Sequence, residues 1–116
     1  MRLTIIQTPT FVADWRRLKL NEDDLRALEA VFLADPVRGA TMSGTGGLRK
    51  LRFAPPSWHI GKRGATRVGY AYFQAHEAIF LIVIYPKNEK DNLSREHRNQ
   101  LKLLVDRIKQ SLLKGR

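Results

Sequence analysis

The sequence predicts an α+β fold in which a small antiparallel β-sheet carries two N-terminal helices and one C-terminal helix, in the order β-α-α-β-β-β-α. Three observations predict it. Apolar residues recur every three or four positions near both ends of the chain. The middle holds three runs rich in β-branched and aromatic residues, RKLRF, TRVGYAYF and AIFLIVIY. Short segments of turn-forming residues separate these runs.

Each element has its own local reason. Arg2–Gln7 (RLTIIQ) reads as a strand that Thr8-Pro9 ends. A helix follows over Thr10–Leu18, with Thr8 or Thr10 as its cap and Phe11, Trp15 and Leu18 on one face. In the next helix Asn21 is a good cap, and Glu22, Asp23 and Asp24 crowd the first turn, where the helix dipole favours negative charge. Leu25, Leu28, Val31 and Phe32 form its apolar stripe, and Asp35-Pro36 closes it.

Ser43-Gly44-Thr45-Gly46-Gly47 is a glycine-rich turn leading into a strand over 48–53, in which Leu48, Lys50 and Arg52 alternate with Arg49, Leu51 and Phe53. It is not a phosphate-cradling P-loop, since no Gly-Lys-Ser/Thr follows and a strand, not a helix, comes next. Pro55 to Gly64 holds two prolines, two glycines and Trp58, and reads as a mobile loop. Thr66–Gln74 and Ala78–Tyr85 form a hairpin about Ala75-His76-Glu77. The second of these strands is apolar on both faces and belongs at the centre of the sheet. Ser94 caps a last helix whose Leu101, Leu104, Val105, Ile108 and Leu112 share a face.

A chain of 116 residues is expected to form one domain, 1–116, large enough to bury a core without metal or disulfide. It has no cysteine, which fits a reducing compartment. Met1–Thr10 lacks the pattern of a secretory leader, and the longest apolar run, Ala78–Tyr85, is far short of a bilayer span. A soluble, cytoplasmic protein is the expectation.

Charge points to the partner. The net charge is +10, unevenly spread: residues 1–35 carry five basic and six acidic side chains, whereas 36–76 carry seven basic ones and no acid. A segment that cannot neutralise itself projects a positive field, and nucleic acid is the leading class of polyanion to answer it. Other chemistries find no support. His59, His76 and His97 have no metal-ligand spacing, no Gly-x-Ser-x-Gly elbow is present, and a thiol nucleophile is excluded.

The remaining candidates are basic and aromatic: Arg49, Lys50 and Arg52 on one strand, Arg67, Tyr70 and Tyr72 on the next, and Tyr85 with Lys87 at the end of the third. Cations would hold phosphates and tyrosines could stack splayed bases. Alternation pairs Lys50 with Arg52 and Tyr70 with Tyr72, but sets Arg67 on the face opposite Tyr70 unless a bulge intervenes. Trp58, in a Pro/Gly-flanked loop, either anchors that loop or meets a partner.

Three segments, GTGGLRKLRFA (44–54), GKRGATRVGYAYF (61–73) and IFLIVIYPKNEKDNLS (79–94), together resemble the HigB-like branch of the RelE/ParE toxin superfamily. The motif resemblance covers about residues 44–94; the flanking helices match in order only. It implies a compact α+β domain like that of small microbial ribonucleases. It further implies a ribosome-dependent messenger RNA endonuclease of a type II toxin-antitoxin system. Partners would be messenger RNA, the ribosomal decoding site and a neutralising antitoxin, usually a helix-turn-helix protein in this branch. The chemistry implied is attack of a ribose 2′-hydroxyl on the neighbouring phosphate, with no metal or other cofactor.

By motif, Lys50 and Arg52 resemble the basic strand positions that contact the backbone and assist deprotonation, and Arg67 resembles the arginine that stabilises charge on phosphate. Lys87, Asn88, Glu89 and Lys90 stand where the family has a polar, partly catalytic segment; Glu89 reads either as an acid/base group or as the ion-pair partner of an arginine. Lys50, Arg52, Arg67, Lys87 and Glu89 are thus the catalytic candidates. Arg49, Lys62, Arg63, Tyr70, Tyr85, Asn88 and Lys90 are the RNA-binding ones. RelE places an arginine where Asn88 stands and a tyrosine near Ser94, so the general acid is open among Tyr85, His97 and a lysine. The Pro55–Ile60 insertion lies outside the pattern. Two other functions stay in view: a non-catalytic nucleic-acid-binding protein, and a gyrase inhibitor of the ParE kind.

Overall fold

The computed structural model describes residues 2–59, 65–87 and 94–114. Strand β1 (Thr4–Gln7) leads into α1 (Pro9–Arg17) and α2 (Glu22–Ala34), followed by β2 (Ala40–Thr41), β3 (Arg49–Phe53), β4 (Thr66–Phe73), β5 (Ala78–Pro86) and α3 (Arg95–Lys114). The fold is α+β, as the sequence predicts. Among the described residues no helix is long and apolar enough to cross a membrane.

Local chemistry sets the helix ends. Thr8 caps α1, its hydroxyl accepting from the Phe11 N–H, and Pro9 follows at the first helical position, where a missing N–H costs nothing. At α2, Asn21 Oδ1 accepts from the Asp24 N–H at 2.9 Å while Asp24 Oδ2 accepts from the Asn21 N–H at 3.0 Å, a reciprocal capping box. In α3 the Ser94 hydroxyl accepts from the His97 N–H at 3.1 Å.

The sheet differs from the expected one in three respects, the first a fifth strand, the two-residue β2 beside β3. Its strand order is β1-β5-β4-β3-β2, with three antiparallel pairs and one parallel pair, β1 beside β5. It is therefore mixed, and β4 takes the centre, with β5 one place away between β4 and β1. An apolar strand needs cover on its edges as well as its faces, and β1 supplies it along Ala78–Leu81. There Thr8 ends the pairing: its N–H bonds the Leu81 carbonyl at 3.0 Å, its hydroxyl donates to the same oxygen at 2.9 Å, and the chain turns into α1.

Each face of the sheet holds a core. On one, Phe11 and Trp15 of α1 and Leu28 and Phe32 of α2 pack on Leu51, Val68, Tyr70 and Leu81. On the other, Leu101, Val105 and Ile108 of α3 cover Leu48, Ala71 and Ile82. The glycine-rich turn seats α3: Lys109 Nζ donates to the Gly46 carbonyl at 3.1 Å and Arg98 Nη1 to the Ser43 carbonyl at 3.0 Å. Gly46 has φ +72°, a left-handed turn that L side chains rarely adopt.

The segment after Pro55 is better fastened than its composition suggests. Pro56–Trp58 forms a 3-10 turn, and Trp58 packs on the core under α1 and α2. The buried Asp24 carboxylate accepts from the Ser57 N–H at 3.0 Å and the Ser57 hydroxyl at 2.7 Å. Burial by itself would raise the Asp24 pKa, but the bonds from Ser57 and Asn21 outweigh it and hold the group below its ordinary value. Trp58 therefore anchors its loop.

Candidate nucleic-acid interface

Register decides which cations meet. In the β3–β4 pair Arg52 stands opposite Arg67 and Lys50 opposite Gly69. Residues directly opposite share a face, so Lys50, Arg52 and Arg67 lie on the same side of the sheet. That side is the one α3 covers, because Leu48 and Ala71, two residues along from Lys50 and Gly69, pack under α3.

The β4–β5 pair adds an aromatic residue through an irregularity. Gly69 pairs with Val83 but Tyr70 with Leu81, so Ile82 is an extra residue in β5. Ile82 and Val83 consequently both belong to the α3 side, while Ile84 turns to the α1/α2 core. Beyond the bulge, Tyr85 stands opposite Arg67. Arg52, Arg67 and Tyr85 form one row across three strands, with Lys50 in the row beside it. With the same sequence and no bulge, Ile84 would stand opposite Arg67 in place of Tyr85.

Exposure grades this row. Arg52 is exposed, Lys50 half-buried, and Arg67 only 5 % exposed, with its Nη1 on the Thr66 carbonyl at 3.3 Å. An anion lying across Arg52 and Arg67 would meet two guanidinium groups from neighbouring strands. Lys87, exposed, follows one residue beyond β5, with its N–H on the Ala65 carbonyl at 3.1 Å.

Two candidates lie apart from this row. Tyr70 is fully buried on the opposite face, edge-on to Phe32, and its hydroxyl donates to the Pro36 carbonyl and accepts from the Gly39 N–H, both at 2.9 Å. Burial pushes its phenol up, against the smaller effects of that N–H and of Arg49. No base can stack on it without opening the core. Arg49 shares that face, and its Nη1 donates to the Gly39 carbonyl at 2.7 Å and the Val37 carbonyl at 3.3 Å. Its task is to hold the 37–39 segment. Tyr85, 5 % exposed, offers little ring for open stacking but lines a groove of about 340 Å³ between α1, β5 and α3.

Arg38 joins the site although its motif context gave no reason to single it out. It lines a hollow with Lys50 and Arg52, because Ala40 pairs with Lys50 and so brings Arg38 toward the Arg52 end of β3. Its one sequence signal is membership of the acid-free stretch. Lys62, Arg63, Asn88, Glu89 and Lys90 lie outside the described residues. Among the described residues no three His, Cys, Asp or Glu side chains gather where they could hold a metal ion.

No profile of a known protein family matches the sequence. Among solved structures, the chain is similar to the free state of an arginine-to-alanine double mutant of the E. coli toxin RelE, with a TM-score of 0.54 and 16 % identity over 78 % of this chain and 90 % of that one. The fold is RelE-like.

Proposed function

We propose that this protein is the toxin of a type II toxin-antitoxin system, of the HigB-like kind, and that it cleaves messenger RNA on the ribosome. The observation that carries the reading is the gathering of Lys50, Arg52, Arg67 and Tyr85 on one face of a RelE-like sheet, at the positions the motifs single out. In this reading residues 1–116 act as one domain in the cytoplasm, engage the message in the decoding site, and are neutralised by a helix-turn-helix antitoxin.

The residues suit a metal-independent phosphoryl transfer. The ribose 2′-oxygen bonds to phosphorus and the bond from phosphorus to the 5′-oxygen breaks. Lys50 is the candidate acceptor of the 2′-hydroxyl proton, and the departing 5′-oxygen takes a proton from Tyr85, His97 or Lys87. The products are a 2′,3′-cyclic phosphate and a 5′-hydroxyl. Arg67 and Arg52, always protonated, stabilise the charge that builds on the phosphorane. Lys87 and Glu89 complete the catalytic set, with Glu89 orienting a neighbouring arginine. Arg38, Lys62, Arg63, Asn88 and Lys90 extend the cationic and polar track for the backbone.

Primer extension on a defined message in a translating extract tests this. Wild-type protein should produce new breaks that require ribosomes, and Lys50→Ala and Arg67→Ala should each weaken them by about 10²-fold or more, the loss typical of a charge-stabilising group. An intact message at every protein concentration would remove the enzyme. Salt-sensitive binding to RNA and DNA alike would then leave a binding protein, and DNA damage with whole messages a gyrase inhibitor.

A further inference from the structure

We infer that the groove between α1, α3 and the Ile82–Pro86 edge of β5 is a nucleoside subsite that receives a single unstacked base of the RNA whose phosphate lies on Arg52 and Arg67. The inference rests on the RNA-binding reading above and adds a place where sequence could be read.

The groove exists because β1 is shorter than β5. Pairing with β1 ends at Leu81, where Thr8 diverts the chain, so among the described residues the Ile82–Pro86 part of β5 has a sheet neighbour on the β4 side alone. The side chains of α1 and α3 wall this open edge on its two flanks. Its floor is apolar, from Val83, Leu101 and Leu104. Its rim is polar, with Thr10 and the Asp14–Arg17 ion pair of α1 on one side and His97 and Gln100 of α3 on the other. Flat apolar surface edged by a few donors and acceptors is what a nucleobase requires, since its faces are apolar and its edges carry the hydrogen-bonding code. A volume of about 340 Å³ sits at the low end of the roughly 300–1,000 Å³ of small-ligand sites, room for one nucleoside and not for a stacked run.

Continuity with the basic row specifies the ligand. Tyr85 belongs to both: it stands opposite Arg67 in the sheet and lines the groove. Neighbouring strands are about 5 Å apart, so the groove opens one strand beyond the Arg67 position. A base is separated from its own phosphate by one sugar, a comparable reach. A nucleotide held by phosphate at Arg52 and Arg67 can therefore lay its base past Tyr85 into the groove.

Two measurements test the subsite. In amide-resolved NMR of the full chain, adenosine, guanosine, cytidine and uridine monophosphates are titrated separately against inorganic phosphate. The Thr10, Gln100 and Leu101 amides should move with at least one nucleotide, to an extent that depends on the base, and stay still with phosphate. Equal movement with all four nucleotides and with phosphate overturns the proposal. In the cleavage assay, Thr10→Val and Gln100→Ala should redistribute the breaks, changing the relative use of sites that differ in base by roughly three- to tenfold, the worth of one hydrogen bond. If wild-type protein cuts and both variants give its pattern unchanged, the subsite falls and the nuclease stands. If base-dependent shifts occur in the groove but no message is cut, the subsite stands and the nuclease falls.

Discussion

The two faces of the sheet use the same residue types for different ends. Toward α1 and α2, Tyr70 and Arg49 are bonded to the backbone: Tyr70 holds Pro36 and Gly39, and Arg49 holds Val37 and Gly39. Toward α3, apolar packing covers Leu48, Ala71 and Ile82 and gives way to Lys50, Arg52 and Arg67. An arginine is structural at 49 and a site candidate at 52, and the difference is the parity of its position in the strand. Composition alone cannot separate them.

If the first face serves stability, damage to it should be large and general. Phe32→Ala, which empties the fully buried ring lying edge-on to Tyr70, should cost about 3–5 kcal/mol in urea unfolding. Tyr70→Phe keeps the ring and strips the hydroxyl, leaving the Gly39 N–H and the Pro36 carbonyl without it. A loss of about 1–3 kcal/mol is expected, with cleavage per folded molecule preserved. Cleavage that falls while folding holds would return Tyr70 to the site and blur the division.

Acid should probe the same face more gently. The folded Asp24 carboxyl is held below its unfolded value, so its contribution is fully present above the ordinary carboxylate range and is lost as pH falls through the folded value, below about 3.8. Asp24→Asn should cost about 1–2 kcal/mol near neutrality, and its deficit against wild type should shrink on acidification past that point. A deficit independent of pH would assign the effect to shape and not to charge. On the other face the smallest change in stability is expected. Arg52→Ala should stay within about 0.5 kcal/mol of wild type, while lowering the slope of log affinity for single-stranded RNA against log salt by about 0.7. An unchanged slope would take Arg52 out of the phosphate track.

Much of this was legible before any coordinate. Asn21 and the acids after it mark the start of α2, and alternation in RKLRF puts Lys50 and Arg52 together because both facts are local. The missing pieces are non-local. Nothing in RLTIIQ says that it pairs in parallel with a strand more than seventy residues away. Asp24 reads as one of three acids at a helix start, and its bonds to Ser57 emerge only when the loop folds back. Two residues, Ala40–Thr41, are too few for a strand pattern, yet they bring Arg38 beside Lys50. Tyr70 and Tyr85 look alike in sequence, and burial separates their tasks.

The extra residue at Ile82 has a consequence for how such a surface could diversify. In a strand apolar on both faces, shifting the phase by one leaves the hydrophobic content unchanged but readdresses everything downstream. The first half of β5 answers to one reading frame of the sheet and the second half to another. Closing the bulge within the same sequence would therefore set Ile84 beside Arg67 in place of Tyr85, whereas a lineage that lost Ile82 together with the bulge would keep Tyr85 there.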